Sequence, residues 1–424
     1  MNRRQFLART GSAAWMTSQL CEGSSHGSMD EGASILNRRL GPGASRRSGM
    51  RALICLFLGG GNDGFNMLVP AGRGYSDYAS IRSGLAIREA DLLPLRPLHP
   101  AACGRVFGLH PAMFDLQQLF NGDKDPYRAR RVSLFSNIGM FQNPGESSDG
   151  VRARMACGPC PAEAANDHGR AADDWMGLRW EDDGITGWMG RAADGDVGWI
   201  NCSLEGYNSL QAGLMTSAIH LNTRGRRMNL VDEGAGLPEL RAGGLKQLRE
   251  SLRATEEPGL DLGRCIPGES PLADKLRRVA RLIQAGRSCE DLRLGVFLYE
   301  GGWDHHTDLL RRHAANLGEL SRCLVGFQNV MDALGLSEDV ILFTASEFGR
   351  ALVPSGDGSG HGWGSTGIIM GGGLGNGRLI GRYPELCKDS TDICERGVVR
   401  PTHDASELIT QLCAWMTGGT LHYG

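Results

Sequence analysis

Apolar residues in this chain gather in short runs, the first of them continuous, each closed by glycine or a polar cluster. Leu53-Ile54-Cys55-Leu56-Phe57-Leu58 runs into Gly59-Gly60-Gly61-Asn62-Asp63-Gly64. Val132-Ser133-Leu134-Phe135-Ser136 leads to Asn137-Ile138-Gly139, and Leu294-Gly295-Val296-Phe297-Leu298-Tyr299 to Gly301-Gly302-Trp303-Asp304-His305-His306. Val340-Ile341-Leu342-Phe343-Thr344 ends in Ser346-Glu347-Phe348-Gly349-Arg350, and Gly367-Ile368-Ile369-Met370 follows His361. Runs of this length without polar alternation are the pattern of strands covered on both faces. Between the third and fourth runs, Leu317, Leu320, Leu324, Phe327, Met331 and Leu334 recur at steps of three and four. That spacing predicts an amphipathic helix of about 20 residues. Strands alternating with helices predict an α/β fold with a doubly wound, mainly parallel sheet.

Composition narrows the class. The 424 residues carry a net charge of -3, which argues against bulk nucleic-acid binding and against a polybasic membrane surface. Glycine, at 62 residues, is roughly twice average usage, and much of it closes the apolar runs, where loops need unusual backbone angles. Met1-Asn2-Arg3-Arg4-Gln5-Phe6-Leu7 and the mildly apolar stretch to Leu20 resemble a twin-arginine export signal, a plain basic tail being the alternative. The stretch is too short and polar to span a membrane, so no transmembrane segment is expected there. On this reading residues 1–21 are signal-like, 22–50 a linker rich in Ser, Gly and Arg, and 51–424 a single domain with a polar insertion near 141–170. The protein would reach the periplasm or cell envelope through the twin-arginine machinery. Cys157-Gly158-Pro159-Cys160 has the spacing of a redox pair, but no thioredoxin-like context surrounds it, and a coincidental loop pair is the expected reading.

The chemistry concentrates where the strands end. Asp63, Asp304 and Glu347 each follow an apolar run closely, His306 stands two residues beyond Asp304, and His361 lies in a Gly-rich loop before the fifth run. In open parallel sheets, ligands bind at the C-terminal ends of strands. Oxygen and imidazole donors together suit Zn, Mn, Fe or Mg, as one ion or two, and not a thiolate site. Singly, each residue also fits a turn or a helix cap; their shared position favours one metal site. Arg350 could meet an anionic oxygen bidentately or form a structural ion pair. Trp303 and Trp363 would wall the site or pack in the core.

Several segments, in order, also resemble a known family. They are Gly59 to Pro70, Phe107-Gly108-Leu109-His110-Pro111, Gly187-Trp188-Met189-Gly190-Arg191, Gly302 to His306, Ser346 to Arg350, His361-Gly362-Trp363-Gly364 and Gly381-Arg382-Tyr383-Pro384. The family is the exported group called domain of unknown function 1501, within the alkaline phosphatase and sulfatase superfamily. The resemblance implies an alkaline phosphatase-like fold and a two-metal site with Asp63, Asp304, His306, Glu347 and His361 at the ligand positions. It implies a hydrolase acting on an anionic small-molecule or polymer ester of phosphate or sulfate. Two positions depart from the pattern. Asp167-His168 stands where the family usually has Ser-His, and Gly360 where it usually has Asp. His168 would be a ligand or acid/base beside Asp167. Loss of the serine leaves a second expectation open: a non-catalytic metal-binding envelope protein. The chain also stops at Gly424, where relatives usually continue briefly.

Overall fold

The computed structural model describes residues 49–99, 104–122, 130–139, 179–181, 184–206, 208–224, 227–231, 239–254, 261–387 and 389–419. Contacts divide the chain into two units, and every element named below belongs to the unit comprising Ser48–Met416 and Leu421–Gly424. The expected signal-like segment and linker, the insertion at 141–170, Cys157, Cys160, Asp167 and His168 lie outside the described residues, except that the linker's last two positions are described.

A ten-stranded sheet carries the fold. In chain order its strands are β1 Arg51–Leu58, β2 Val132–Gly139, β3 Trp199–Ser203, β4 Ile219–Arg224 and β5 Arg227–Val231. There follow β6 Arg293–Glu300, β7 Val340–Ala345, β8 Ser365–Gly371, β9 Leu379–Ile380 and β10 His403–Asp404. Across the sheet they run β5-β4-β3-β6-β1-β7-β8-β2-β9, and β10 also pairs with β2. All five apolar runs are strands. The first four point the same way, with β6, β1 and β7 in parallel register. The fifth, β8, runs antiparallel to both β7 and β2, and β5 antiparallel to β4. The sheet is therefore mixed, though mainly parallel.

The reversal at β8 has a local cause. A parallel return needs a crossover to the opposite sheet edge, usually a helix. Instead, the chain after β7 makes a hairpin of Arg350–Ser355 with Gly358–His361 and re-enters the sheet from the edge it left.

The helices used here are α1 Tyr75–Arg82, α2 Glu239–Ala254, α3 Pro271–Gly286, α4 Leu309–Leu334 and α5 Ala405–Met416. α4 is the periodic helix; it spans 26 residues and stops at Gly335, whose left-handed backbone closes its last turn. Side chains alternate across a strand. Ala52, Ile54, Leu56 and Leu58 of β1 enter one core with Leu248 of α2, Leu276 and Ile283 of α3, and Leu320, Leu324 and Phe327 of α4. Leu53, Cys55 and Phe57 enter another with Trp188, Met189, Leu408, Leu412 and Trp415. Two covered faces account for the absence of polar alternation in the central strands.

Candidate metal centre

Register brings the chemistry to one edge. Leu58 of β1 pairs with Glu300 of β6, and Phe57 with Ala345 of β7, so the three strands finish level. The loops after them carry Asp63, Asp304 and Glu347 from adjacent positions. The hairpin is fastened to the middle loop. Ser359 N–H donates to the His305 carbonyl at 3.1 Å, and Leu309 N–H to that of Asp357 at 3.0 Å. Within the hairpin His361 stands opposite Arg350.

Three of the expected ligands meet there. His306 Nε2 lies 3.0 Å from Asp304 Oδ1 and 3.1 Å from His361 Nε2; His361 Nε2 is 3.5 Å from the same carboxylate oxygen. Among the described residues, these are the one group of three or more such side chains with mutually close ligand atoms. Tetrahedral ligands on bonds of roughly 2.0–2.1 Å stand about 3.3 Å apart. The observed separations are close to that edge length, and one carboxylate with two imidazoles is a common donor set for a divalent transition ion. The residues present fit a metal. Asp304 and His306 are half-exposed, so the cluster is open on one side.

The walls fix its orientation. The His361 ring stacks on Phe348, centroids 4.1 Å apart. Burial and the neighbouring Arg350 charge hold His361 down to about 4, so its imidazole is neutral across the physiological range. Burial alone would raise the Asp304 carboxyl. The Arg350 hydrogen bond and charge, with His306 and His361, outweigh it and leave the group below its ordinary value.

Asp63 and Glu347 are placed otherwise. Asp63 is fully buried and ion-paired to Arg82 of α1, whose guanidinium also donates to Asn66 Oδ1 and to the carbonyls of Ala351 and Leu352. Its second oxygen, Oδ1, has no hydrogen-bond partner. The Glu347 carboxylate accepts the Gly60 N–H at 2.9 and 3.1 Å. Burial raises its pKa against that hydrogen bond. Neither residue belongs to the close cluster. Arg350 is wholly buried, with no guanidinium edge exposed for an anion. Trp303 is buried and lies against His305 and His313, a core position and not a site wall. Position 360 has open space around it, so packing does not require glycine there.

Sequence reasoning missed a buried histidine group behind the cluster. His110, His305 and His313 are almost unexposed, and their rings meet edge to face, His313 lying 5.9 Å from His110 and 5.7 Å from His305 between centroids. His313 Nε2 bonds Asn62 Oδ1 at 3.1 Å. His110 and His305 stood in quoted motifs and His313 did not; no spacing signal marks the three as partners.

Residues 250–410 match the family model described as "Protein of unknown function (DUF1501)". Over that segment the chain is similar to the DUF1501 family. That segment contains Asp304, His306, Glu347, Arg350 and His361, whereas Asp63 lies outside it. No curated protein matches the chain significantly. Among solved structures, the C-terminal periplasmic domain of EcEptC from Escherichia coli, in complex with Zn, is 11% identical over 90% of this chain and 85% of its own, with a TM-score of 0.33. The phosphonate monoester hydrolase of Agrobacterium radiobacter is 11% identical over 88% and 76%, with a TM-score of 0.36. The PsFucS1 sulfatase from Pseudoalteromonas sp. is 9% identical over 91% and 70%, with a TM-score of 0.33. Scores this low transfer no property of those proteins to this chain. Among the described residues, no helix is long and apolar enough to cross a membrane.

Proposed function

We propose that this chain is an exported, metal-dependent hydrolase of phosphate or sulfate esters. The observation that supports the reading most is the open three-ligand cluster of Asp304, His306 and His361 at the sheet's C-terminal edge. Three protein ligands with an open side are the hallmark of a catalytic ion, whereas structural ions are closed by four. Two imidazoles and one carboxylate favour Zn, Mn or Fe over Mg. A bound ion there would supply Lewis-acid polarisation of an ester oxygen and a more acidic water. The chain's own residues do the positioning. Phe348 fixes the His361 ring, and Glu347 clamps the Gly60 N–H. Asp63 keeps the Arg82 pair beneath the loops. Asp167 and His168 are proposed as the acid/base pair. Delivery by the twin-arginine route, which carries folded proteins, suits an ion loaded before export.

Metal content by elemental analysis, followed by turnover of aryl phosphate and aryl sulfate, tests this. Stoichiometric metal with turnover abolished in Asp304→Ala supports the hydrolase. A second reading, a metal-binding envelope protein without turnover, is favoured by one observation: Arg350 offers no exposed cation to an anionic ester. Stoichiometric metal without turnover of either ester would select it.

A further inference from the structure

Arg350 was the expected contact for an anionic oxygen, and the structure gives every part of its guanidinium another partner. Nε donates to the Gly61 carbonyl at 3.1 Å, and Nη1 to that of Ser359 at 2.8 Å. Nη2 donates to the Gly60 carbonyl at 3.0 Å, to Trp303 at 3.4 Å and to Asp304 Oδ1. Those acceptors come from three separate stretches of chain: the loop after β1, the loop after β6, and the hairpin that ends in His361. The side chain is 0% exposed, whereas the Asp304 side chain it holds is 49% exposed. An arginine offers five N–H donors in a rigid planar fork. Such a fork, held by four carbonyls and one carboxylate with Nη2 shared among three of them, fixes the relative position of everything it touches.

The backbone of the first loop is shaped for this. Gly60 and Gly61 have φ of +114° and +89°. A Cβ on Gly60 would stand 2.5 Å from the Asp304 nitrogen, and one on Gly61 would stand 2.4 Å from the Phe348 ring and 3.4 Å from Arg350 Nε. Side chains would push the loop off Asp304 at one position and off the Phe348 ring at the other. His361 shares the hairpin with Arg350 and pairs with it in register. One buried cation therefore reaches a cluster ligand directly and the strand of a second ligand through its own backbone.

We infer that Arg350 is a positioning residue of the metal centre: it aims the half-exposed Asp304 carboxylate at His306 and His361 and ties the three supporting loops into one frame. Lysine cannot replace it, because a single ammonium carries the charge without the fork. The inference rests on the metal site proposed above and is independent of turnover.

The test is a cobalt(II) titration of the full chain, followed by visible absorption, on wild type, Arg350→Lys, Asp304→Ala and the double variant. Wild type is expected to take up one cobalt per chain. Loss of a partner that orients a ligand typically costs about 10–100-fold in metal affinity, which is the expectation for Arg350→Lys. In the Asp304→Ala background the same change is expected to cost clearly less than in wild type, since the direct route through the carboxylate is gone and only the tie to the His361 hairpin remains. Wild-type affinity in Arg350→Lys overturns the inference. So does an equal loss in both backgrounds, which would mark a structural residue only. No cobalt uptake by wild type overturns the metal site itself and is read separately. Should Arg350→Lys fail to fold, nitrogen-15 spectra of the wild-type arginine side chains decide. A slowly exchanging Arg350 guanidinium whose signals shift in Asp304→Ala supports the inference; a freely rotating one refutes it.

Discussion

At the scale of single residues, three of the five expected ligand positions come together and two stand apart from them. Asp304 and His306 were legible because they follow an apolar run closely, and His361 because it stands in a Gly-rich loop just before the next one. Which of His305 and His306 faces the cluster was not decided by spacing, since a loop without regular period fixes no direction; His306 turns outward and His305 into the core. Arg82 was invisible because its partner Asp63 lies 19 positions away and their meeting depends on how α1 folds back. Loss of a ligand follows directly from the geometry. His361→Ala should weaken metal binding by more than the tenfold to hundredfold that an outer partner costs, measured by cobalt titration. The buried histidines give a pH prediction. Burial holds His110 and His305 at about 4 and His313 well below its ordinary value. All three are neutral in the folded chain, whereas the unfolded chain takes up their protons near pH 6.5. The unfolded state therefore binds more protons in this window, and stability is fully present above about pH 6.5 and falls as pH drops towards 4. His110→Asn removes one of the three while leaving an acceptor for the Ala112 N–H, which His110 Nδ1 now takes at 3.1 Å. Denaturant midpoints measured from pH 7 to 4 should lose up to about 1.4 kcal/mol per pH unit of slope. An unchanged slope would show that His110 takes up its proton at the same pH in the folded and unfolded chain.

At the scale of elements, strands were readable wherever both faces are covered. All five apolar runs and the long periodic helix are present. The strands β3, β4 and β5 were not foreseen, because short segments with interspersed polar residues carry no run. The direction of β8 was not foreseen either, although the absence of any helical period between Glu347 and Gly364 was the available signal. Packing gives this level its prediction. Leu324 of α4 is fully buried in the core shared with β1, whereas Leu310 on the same helix is 38% exposed. Leu324→Ala should cost about 2–5 kcal/mol through lost burial and a cavity. Leu310→Ala should stay within about 0.5 kcal/mol. Chemical denaturation in excess chelator separates the two. A second contrast concerns the loop after β1. Gly60→Ala forces a side chain into a strained backbone and against Asp304, for a cost on the order of 1–3 kcal/mol in φ alone. It should reduce cobalt affinity as well, whereas Leu324→Ala should lower stability with little effect on affinity in the remaining folded protein.

At the scale of the whole molecule, the cluster joins parts of the chain that meet only after folding. Asp304 and His306 lie on the loop after β6, His361 lies on a hairpin beyond β7, and the carbonyls of Gly60 and Gly61 after β1 lock both through Arg350. The sequence showed that each loop ended a strand; the level register of β1, β6 and β7 is what makes the ends coincide. Because the unfolded chain holds these donors far apart, an ion that binds here binds the folded state in strong preference. Folding and metal uptake are then linked. Stability should rise by about 2.7 kcal/mol at an ion concentration one hundred times the dissociation constant, and by about 1.4 kcal/mol for each further tenfold. Thermal unfolding of the full chain should therefore move upward with added zinc or cobalt and back with chelator. Ions also attach loosely to exposed carboxylates and to histidines of unfolded chains, so a shift alone does not identify the site. His361→Ala supplies the discrimination: its exposed carboxylates are those of wild type, and only one cluster imidazole is missing. A metal-dependent rise in wild type that disappears in this variant is the expected result. An equal rise in both would place the ion elsewhere and leave the three side chains as an ordinary hydrogen-bonded group at the sheet edge.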